Sequence, residues 1–234
     1  MKQSEQVKAE NIVGRFTSLR TVLVLEGLLV GVGAGLVSVL YRYALARADD
    51  IRNTALGLCS GSPLRMAGWF AALIVLAILV SALLKWEPMI SGSGIPQVEA
   101  EMAGYIRPSW YRVIIGKIVG GFFCIVGGLS LGREGPSIQL GGMAGKSISK
   151  MLGRFRLEEH FLITCGASAG LSAAFNAPLA GVMFALEEVH KNFSSMVLLS
   201  CMAASLVADY ISNGIFGMEP VFSFEVNDMI PLSG

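Results

Sequence analysis

Arg133 and Glu134 stand side by side between glycines in the stretch GREGPSIQLGG (132–142), directly after a run without charge (120–131). A helix that begins at such a stretch has several N–H groups without intrahelical partners, and its dipole adds about half a positive charge. Its first turn can therefore hold an anion without a cation. A carboxylate at this position predicts either a helix cap or a tethered competitor, which occupies the anion site when ionised and leaves it when protonated.

A second stretch, GSGIP (92–96), has the same character. Ser93 adds a hydroxyl donor between two glycines, and Pro96 is typical of a first helical turn. This donor set suits a monovalent halide that is held loosely enough to leave again. The alternative for each stretch is a capped helix start without a ligand. The predicted anion-binding residues are Gly92, Ser93, Gly94, Ile95, Arg133, Glu134 and Gly135.

The elements that carry these stretches must lie in an apolar setting. The chain is 53% hydrophobic and only 15% charged, against roughly a quarter charged in soluble proteins. A helix needs about 20 apolar residues to cross the hydrocarbon core. Runs with little or no charge occur at 21–41, 66–84, 118–132, 161–186 and 192–208. Two of these runs are clear spans, and the others are too short or too interrupted. The sequence therefore predicts an all-α polytopic membrane protein with broken helices, a recurring device of transporters.

Along the chain, glycine, proline and charge divide the predicted segments. Gly27, Gly31 and Gly35 form a stripe of small residues that lets another helix approach closely. Basic residues before the first apolar run place the N-terminus in the cytoplasm. We expect a cytoplasmic segment (1–16), a helix from 17 to about 47, a loop (48–63), helical segments at 64–86, 109–130, from near 134, 157–175, from Pro178 and at 194–213, and a linker (214–234).

Several other kinds of site are not supported by the sequence. His160 and His190 lack a second ligand at helical spacing, so no metal site is predicted. The four cysteines are far apart and lie mostly in apolar runs, which favours packing roles. The stretch LGGMAGKS (140–147) resembles a phosphate loop but has Leu140 where that motif requires glycine. An NTPase is therefore rejected, and no enzyme activity is predicted.

Three motifs in one order resemble the CLC family of chloride channels and proton/chloride antiporters. They are GSGIPQVE (92–99), GREGPSIQLG (132–141) and AAFNAPLAGVMFALEE (173–188). The resemblance implies a fold of many tilted, often partial helices and a homodimer in which each subunit has its own pore. It covers only the N-terminal one of the family's two inverted repeats, which we assign to 17–213.

The resemblance also implies roles for individual residues. Ser93 looks like the central chloride-coordinating serine, Glu134 like the gating glutamate, and Glu188 like the internal proton-transfer glutamate of exchangers. Glu187 would help water or protons reach Glu188. We further expect a buried network of Glu99, Lys117 and Arg133. Chloride and protons would be the substrates, without a cofactor, in a multi-pass protein of a bacterial inner membrane.

The family's third anion-binding motif, GxFxP, and its late pore tyrosine belong to the second repeat, and neither occurs in this sequence. We therefore expect the linker 214–234 to lead toward a second repeat that completes the pore. The leading hypothesis is the N-terminal half of a proton-coupled chloride exchanger. The alternatives are a passive voltage- or pH-gated chloride channel and a non-transporting membrane fragment.

Overall fold

The computed structural model describes residues 2–59 and 63–217, with side chains from residue 21 onward. These residues form the helices α1 (Lys2–Cys59), α2 (Pro63–Trp86), α3 (Ile95–Met102), α4 (Trp110–Val126), α5 (Glu134–Met151), α6 (Arg156–Phe175), α7 (Pro178–Phe184) and α8 (Ser195–Phe216). A short 3-10 helix, Pro88–Ile90, precedes α3, and α7 continues as a π-helical segment, Ala185–His190. No strand occurs in the described ranges. The all-α fold with broken helices is thus confirmed.

Within the described ranges, three helices are long and apolar enough to cross a membrane, namely the Thr21–Cys59 part of α1, α2 and α8. In contrast, α3 has eight residues and α7 has seven. Helices this short cannot cross the hydrocarbon core by themselves. None of the residues of α2 is fully buried, although Trp69, Leu76 and Leu83 pack against the core along one side of this apolar helix.

The loop expected at 48–63 is wrong over residues 48–59, because α1 continues to Cys59. Its polar residues support the helix: Asp49 and Arg52 form an ion pair at 3.0 Å, and the Thr54 hydroxyl donates to the Asp50 carbonyl at 2.8 Å. Such i, i+3 pairs stabilise an exposed helical surface. Residues 60–62 lie outside the described part of the chain, as do residues 218–234 of the expected linker, whose first residues instead belong to α8.

The glycine stripe of α1 packs against α8, which confirms the close helix partner predicted from it. A Cβ at Gly27 would lie 2.7 Å from the Ser200 carbonyl oxygen. The same construction gives 2.5 Å between Gly31 and the Ala204 oxygen. Because the residue numbers of the contacting pairs increase together along both helices, α1 and α8 run parallel.

At the centre of the molecule α6 crosses α5 at a glycine contact. A Cβ at Gly166 would overlap the Gly141 carbonyl oxygen, and a Cβ at Gly141 would overlap that of Gly166. Residues 162–170 of α6 are all buried. The main core cluster joins α1, α6 and α8 through residues that include Val30, Ala34, Leu162, Ala169, Cys201 and Ala204. This packing fixes the position of α5, which carries Glu134 at its first turn.

Replacing Gly166 by alanine should therefore destabilise the protein. The added methyl group has to push apart two backbones, and overpacking of this kind costs about 1–3 kcal/mol. Gly68→Ala is a matched control, because a Cβ there meets nothing within 4 Å. Thermal unfolding in detergent should show a lower midpoint for Gly166→Ala and no decrease for Gly68→Ala. Equal midpoints would show that the α5–α6 crossing is not as close as described.

Candidate functional site

The start of α3 requires two glycines. Gly92 and Gly94 have φ values of +65° and +103°, in the left-handed region that residues with a Cβ rarely adopt. A Cβ at Gly94 would also lie 2.6 Å from Oε1 of Gln139. The chain therefore turns sharply on both sides of Ser93, whose position is exposed. This local geometry explains why the motif has a serine between two glycines.

Buried side chains hold the backbone that leads into this turn. The ammonium group of Lys117 donates to the carbonyl oxygens of Ile90 at 3.0 Å and Gly92 at 2.8 Å. The amide of Gln139 donates to the Met89 carbonyl at 2.8 Å. Lys117 and Gln139 are both buried. Since these carbonyl oxygens are paired, the unpaired N–H groups at the start of α3 and the ammonium group of Lys117 both add positive potential beside Ser93.

The start of α5 lies directly against Ser93. A Cβ at Gly135 would be 2.5 Å from the Ser93 carbonyl oxygen and 2.7 Å from the Ser93 Cβ. Glu134 is the first residue of α5, and Arg133 precedes it as the cap residue. Both side chains are exposed, and neither makes a hydrogen bond or ion pair with the described side chains. The structure thus brings together the two glycine-rich helix starts that the sequence singles out.

Both stretches also line one cavity of about 210 Å³. Gly92 belongs to the first stretch, Pro136 belongs to the second, and Lys117 lies between them in the wall. Most of the remaining wall is apolar, with Tyr41, Leu83, Ile90, Cys124 and Leu131 among its residues. The cavity therefore combines one ammonium group with a mostly apolar wall, next to the two glycine-rich helix starts.

Glu187 and Glu188 lie apart from this cavity, in the π-helical segment that follows α7. Both are exposed. The segment is nevertheless connected through α3 to the glycine turn around Ser93, because Glu99 of α3 pairs with Lys191 at 3.0 Å. Val98 of α3 and Val189 of the π-helical segment also belong to one buried hydrophobic cluster. One short helix therefore begins beside Ser93 and packs against the turn that carries Glu188.

The sequence profile of the voltage-gated chloride channel family matches residues 75–234, more than half of the chain. The chain belongs to the CLC family.

Similar CLC proteins include two bacterial transporters. The H(+)/Cl(-) exchange transporter ClcA of Vibrio cholerae serotype O1 is 37% identical over 218 residues, which cover 88% of this chain and 45% of that protein. The protein of the same name from Citrobacter koseri is 34% identical over 209 residues, which cover 84% of this chain and 42% of that protein.

Solved CLC structures agree with the fold. A slow cyanobacterial Cl−/H+ antiporter superposes with a TM-score of 0.76 at 32% identity and covers 90% of this chain and 50% of its own. A CLC-type fluoride/proton antiporter gives a TM-score of 0.67 at 25% identity, with 90% and 51% covered. The chain thus spans about half the length of the CLC relatives that it matches.

One expectation about this CLC site is wrong. Glu99, Lys117 and Arg133 do not form a shared network: Glu99 pairs with Lys191, Lys117 binds backbone carbonyls, and Arg133 is exposed. The glycine turn needs its carbonyl groups held, and a lysine with three N–H donors does this without a carboxylate. Residues 140–147 lie within α5, so they form no phosphate-binding loop.

The role of Gln139 was not predicted from the sequence. It is the buried polar residue that fills the space left by Gly94 and fixes the Met89 carbonyl. The spacing of Gln139 could have indicated this role. Gly135 lies four residues earlier, and residues four apart lie on the same face of a helix, so both face the turn around Ser93. The buried pair of Glu101 and Lys146 was likewise not predicted.

Proposed function

We propose that this CLC chain takes part in proton-coupled chloride exchange across a membrane and supplies the half of the pathway that contains Ser93 and Glu134. The observation that carries the proposal is the direct contact between Ser93 and the first turn of α5 at Gly135. One residue of each glycine-rich stretch, Gly92 and Pro136, also lines one small cavity. The names of the relatives, which are exchange transporters and antiporters, support this assignment.

In this mechanism chloride is held by the Ser93 hydroxyl and by N–H groups at the starts of α3 and α5, with Ile95 and Gly135 supplying backbone donors. Arg133 adds positive charge at the mouth of the site. The carboxylate of Glu134 begins α5 and competes with chloride for the same donors. When Glu134 takes a proton it loses its negative charge and leaves the donors to the anion, so that anion binding and proton binding are linked.

Protons reach Glu134 from the other side through Glu188 in this proposal, with Glu187 assisting. The support from the structure is that both carboxylates are exposed and that α3 lies between their segment and Ser93. π-Helical segments within helices are frequent at functional sites. An ionisable residue within the membrane-spanning part of a protein is by default a candidate for a functional role.

A second CLC repeat is needed to complete the pathway, in the same polypeptide or in another. We also propose a homodimer that forms through the outer faces of α7 and α8, whose exposed apolar residues include Leu179, Met183, Leu199, Leu206 and Tyr210. Leu198 and Met202 pack against the core and do not belong to this face. Light scattering of the purified protein in detergent tests the dimer, and a monomeric mass would contradict it.

Flux measurements in liposomes test the proposed function. The chain is reconstituted alone and together with a complementary second repeat, and both chloride efflux and proton uptake are recorded under an outward chloride gradient. Chloride-driven proton uptake with the second repeat present is the expected result. Chloride efflux without proton uptake would support a passive channel instead. Absence of any flux in both preparations would remove transport as the function of this polypeptide.

A further inference from the structure

A second, polar cavity lies at the end of α5 that is opposite to Glu134. It has a volume of about 290 Å³ and is lined by Arg107, Pro108, Ser109, Lys146, Lys150, Arg156 and Glu159. The wall combines the segment before α4, the last turns of α5 and the first turn of α6. Since α5 has 18 residues, its two ends are about 27 Å apart at 1.5 Å per residue. This cavity is therefore separate from the one beside Ser93.

Positive charge dominates the wall of this cavity. Arg107, Lys150 and Arg156 are exposed and make no hydrogen bond or ion pair with the described residues. Lys146 is buried, pairs with Glu101 and donates to the Pro108 carbonyl at 2.7 Å, so it holds the wall in place. Glu159 is the one carboxylate among the lining residues. The remaining cations repel one another unless an anion lies between them.

Exposed aromatic and apolar side chains of the kind found at membrane interfaces flank the cavity. Tyr105 and Phe155, which are 85% and 83% exposed, flank the segments that line it. Aromatic side chains with exposed rings are enriched at the level of the lipid headgroups. Leu157, 69% exposed, adds apolar surface at the start of α6. The three unpaired cations are thus placed where phosphate groups of lipids and phosphates of the adjoining solution can both reach them.

We propose that this cavity binds a phosphate group. Two of the three unpaired cations are arginines, whose planar guanidinium groups donate two parallel hydrogen bonds to phosphate oxygens. Lys150 adds a third positive charge, and the side chain of Ser109 makes no capping bond to α4 and is available as a hydroxyl donor. Basic pockets at the ends of membrane helices bind anionic headgroups by this chemistry. The phosphate comes either from an anionic phospholipid or from a soluble phosphate compound.

Binding to the purified full-length protein distinguishes the two sources. Native mass spectrometry measures retention of short-chain phosphatidylglycerol against phosphatidylcholine, and titration calorimetry measures binding of inorganic pyrophosphate. The test variant is the triple change Arg107→Gln, Lys150→Gln and Arg156→Gln. The control is the triple change Arg47→Gln, Arg65→Gln and Lys85→Gln, which removes the same charge from exposed positions outside the cavity. Lys150→Gln alone is a milder second variant.

We expect the test variant to bind at least one of the two phosphate compounds about a hundredfold more weakly, since each of the three interfacial cations contributes about a factor of five. The control should bind as the parent protein does. Loss of phosphatidylglycerol binding alone assigns the site to lipid, and loss of pyrophosphate binding assigns it to a soluble phosphate. Equal binding by parent, control and test variant would overturn the proposal. The proposal is also overturned if the parent protein binds neither compound. That result is expected if carboxylates elsewhere in the protein pair with these cations.

Discussion

Glu134→Gln, introduced into the protein together with its second repeat, is expected to leave chloride movement intact and to abolish chloride-driven proton uptake. Glutamine keeps the size of the side chain at the first turn of α5 but can neither carry a charge nor take up a proton. The link between anion and proton is then lost. Chloride efflux should also become insensitive to pH, because no titrating group competes for the N–H donors.

Paired electrode recordings of chloride and pH in one liposome suspension measure both effects. Asp50→Asn is a suitable control, since it neutralises an exposed carboxylate on α1 away from both glycine-rich stretches. It should retain coupled proton uptake at the parent rate. Proton uptake above the level of empty liposomes in Glu134→Gln would show that another group carries the proton.

Glu188→Gln should have an equally large effect on protons for a different reason. In the proposed mechanism the proton passes from solution through the exposed Glu188 before it reaches Glu134, and transfer requires a group that titrates. Chloride efflux should continue and remain sensitive to pH, because Glu134 is still present. The two variants therefore differ in the pH dependence of chloride efflux, although both lose coupled proton uptake.

Glu187→Gln is the natural comparison, because it makes the same chemical change one residue earlier on the same π-helical segment. It should slow proton uptake without uncoupling it. Retained pumping of protons against their gradient in Glu188→Gln would refute the role of this residue. Loss of coupling in Glu187→Gln alone would transfer the role to its neighbour.

The sequence predicted the parts of this molecule that depend on local pattern. The glycine stripe of α1 predicted a close partner, and α8 occupies that place. Pro96 and the glycines before it predicted a helix start, and α3 begins at Ile95. These signals are local because they act through the backbone of a few neighbouring residues.

The contacts that arise only from tertiary packing could not be predicted from the local sequence. Lys117 lies on α4, 27 residues along the chain from Ile90, and nothing in its neighbourhood predicts that it binds the Ile90 carbonyl. The continuation of α1 through Asp49 and Asp50 was wrongly predicted as a loop, because polar residues typical of turns also suit the exposed face of a helix. The roles assigned to Ser93, Glu134 and Glu188 stay predictions.

Lys117 binds two carbonyl oxygens and has no carboxylate within ion-pair distance among the described side chains. Its charge is offset only by dipoles, and in an apolar wall such a charge is weakly screened. An anion in the 210 Å³ cavity is therefore attracted toward the ammonium group before it touches that group, and more strongly as it approaches. Two of the three N–H donors of Lys117 are occupied by carbonyl oxygens, so the ammonium group offers an anion at most one hydrogen bond, which favours passage over retention.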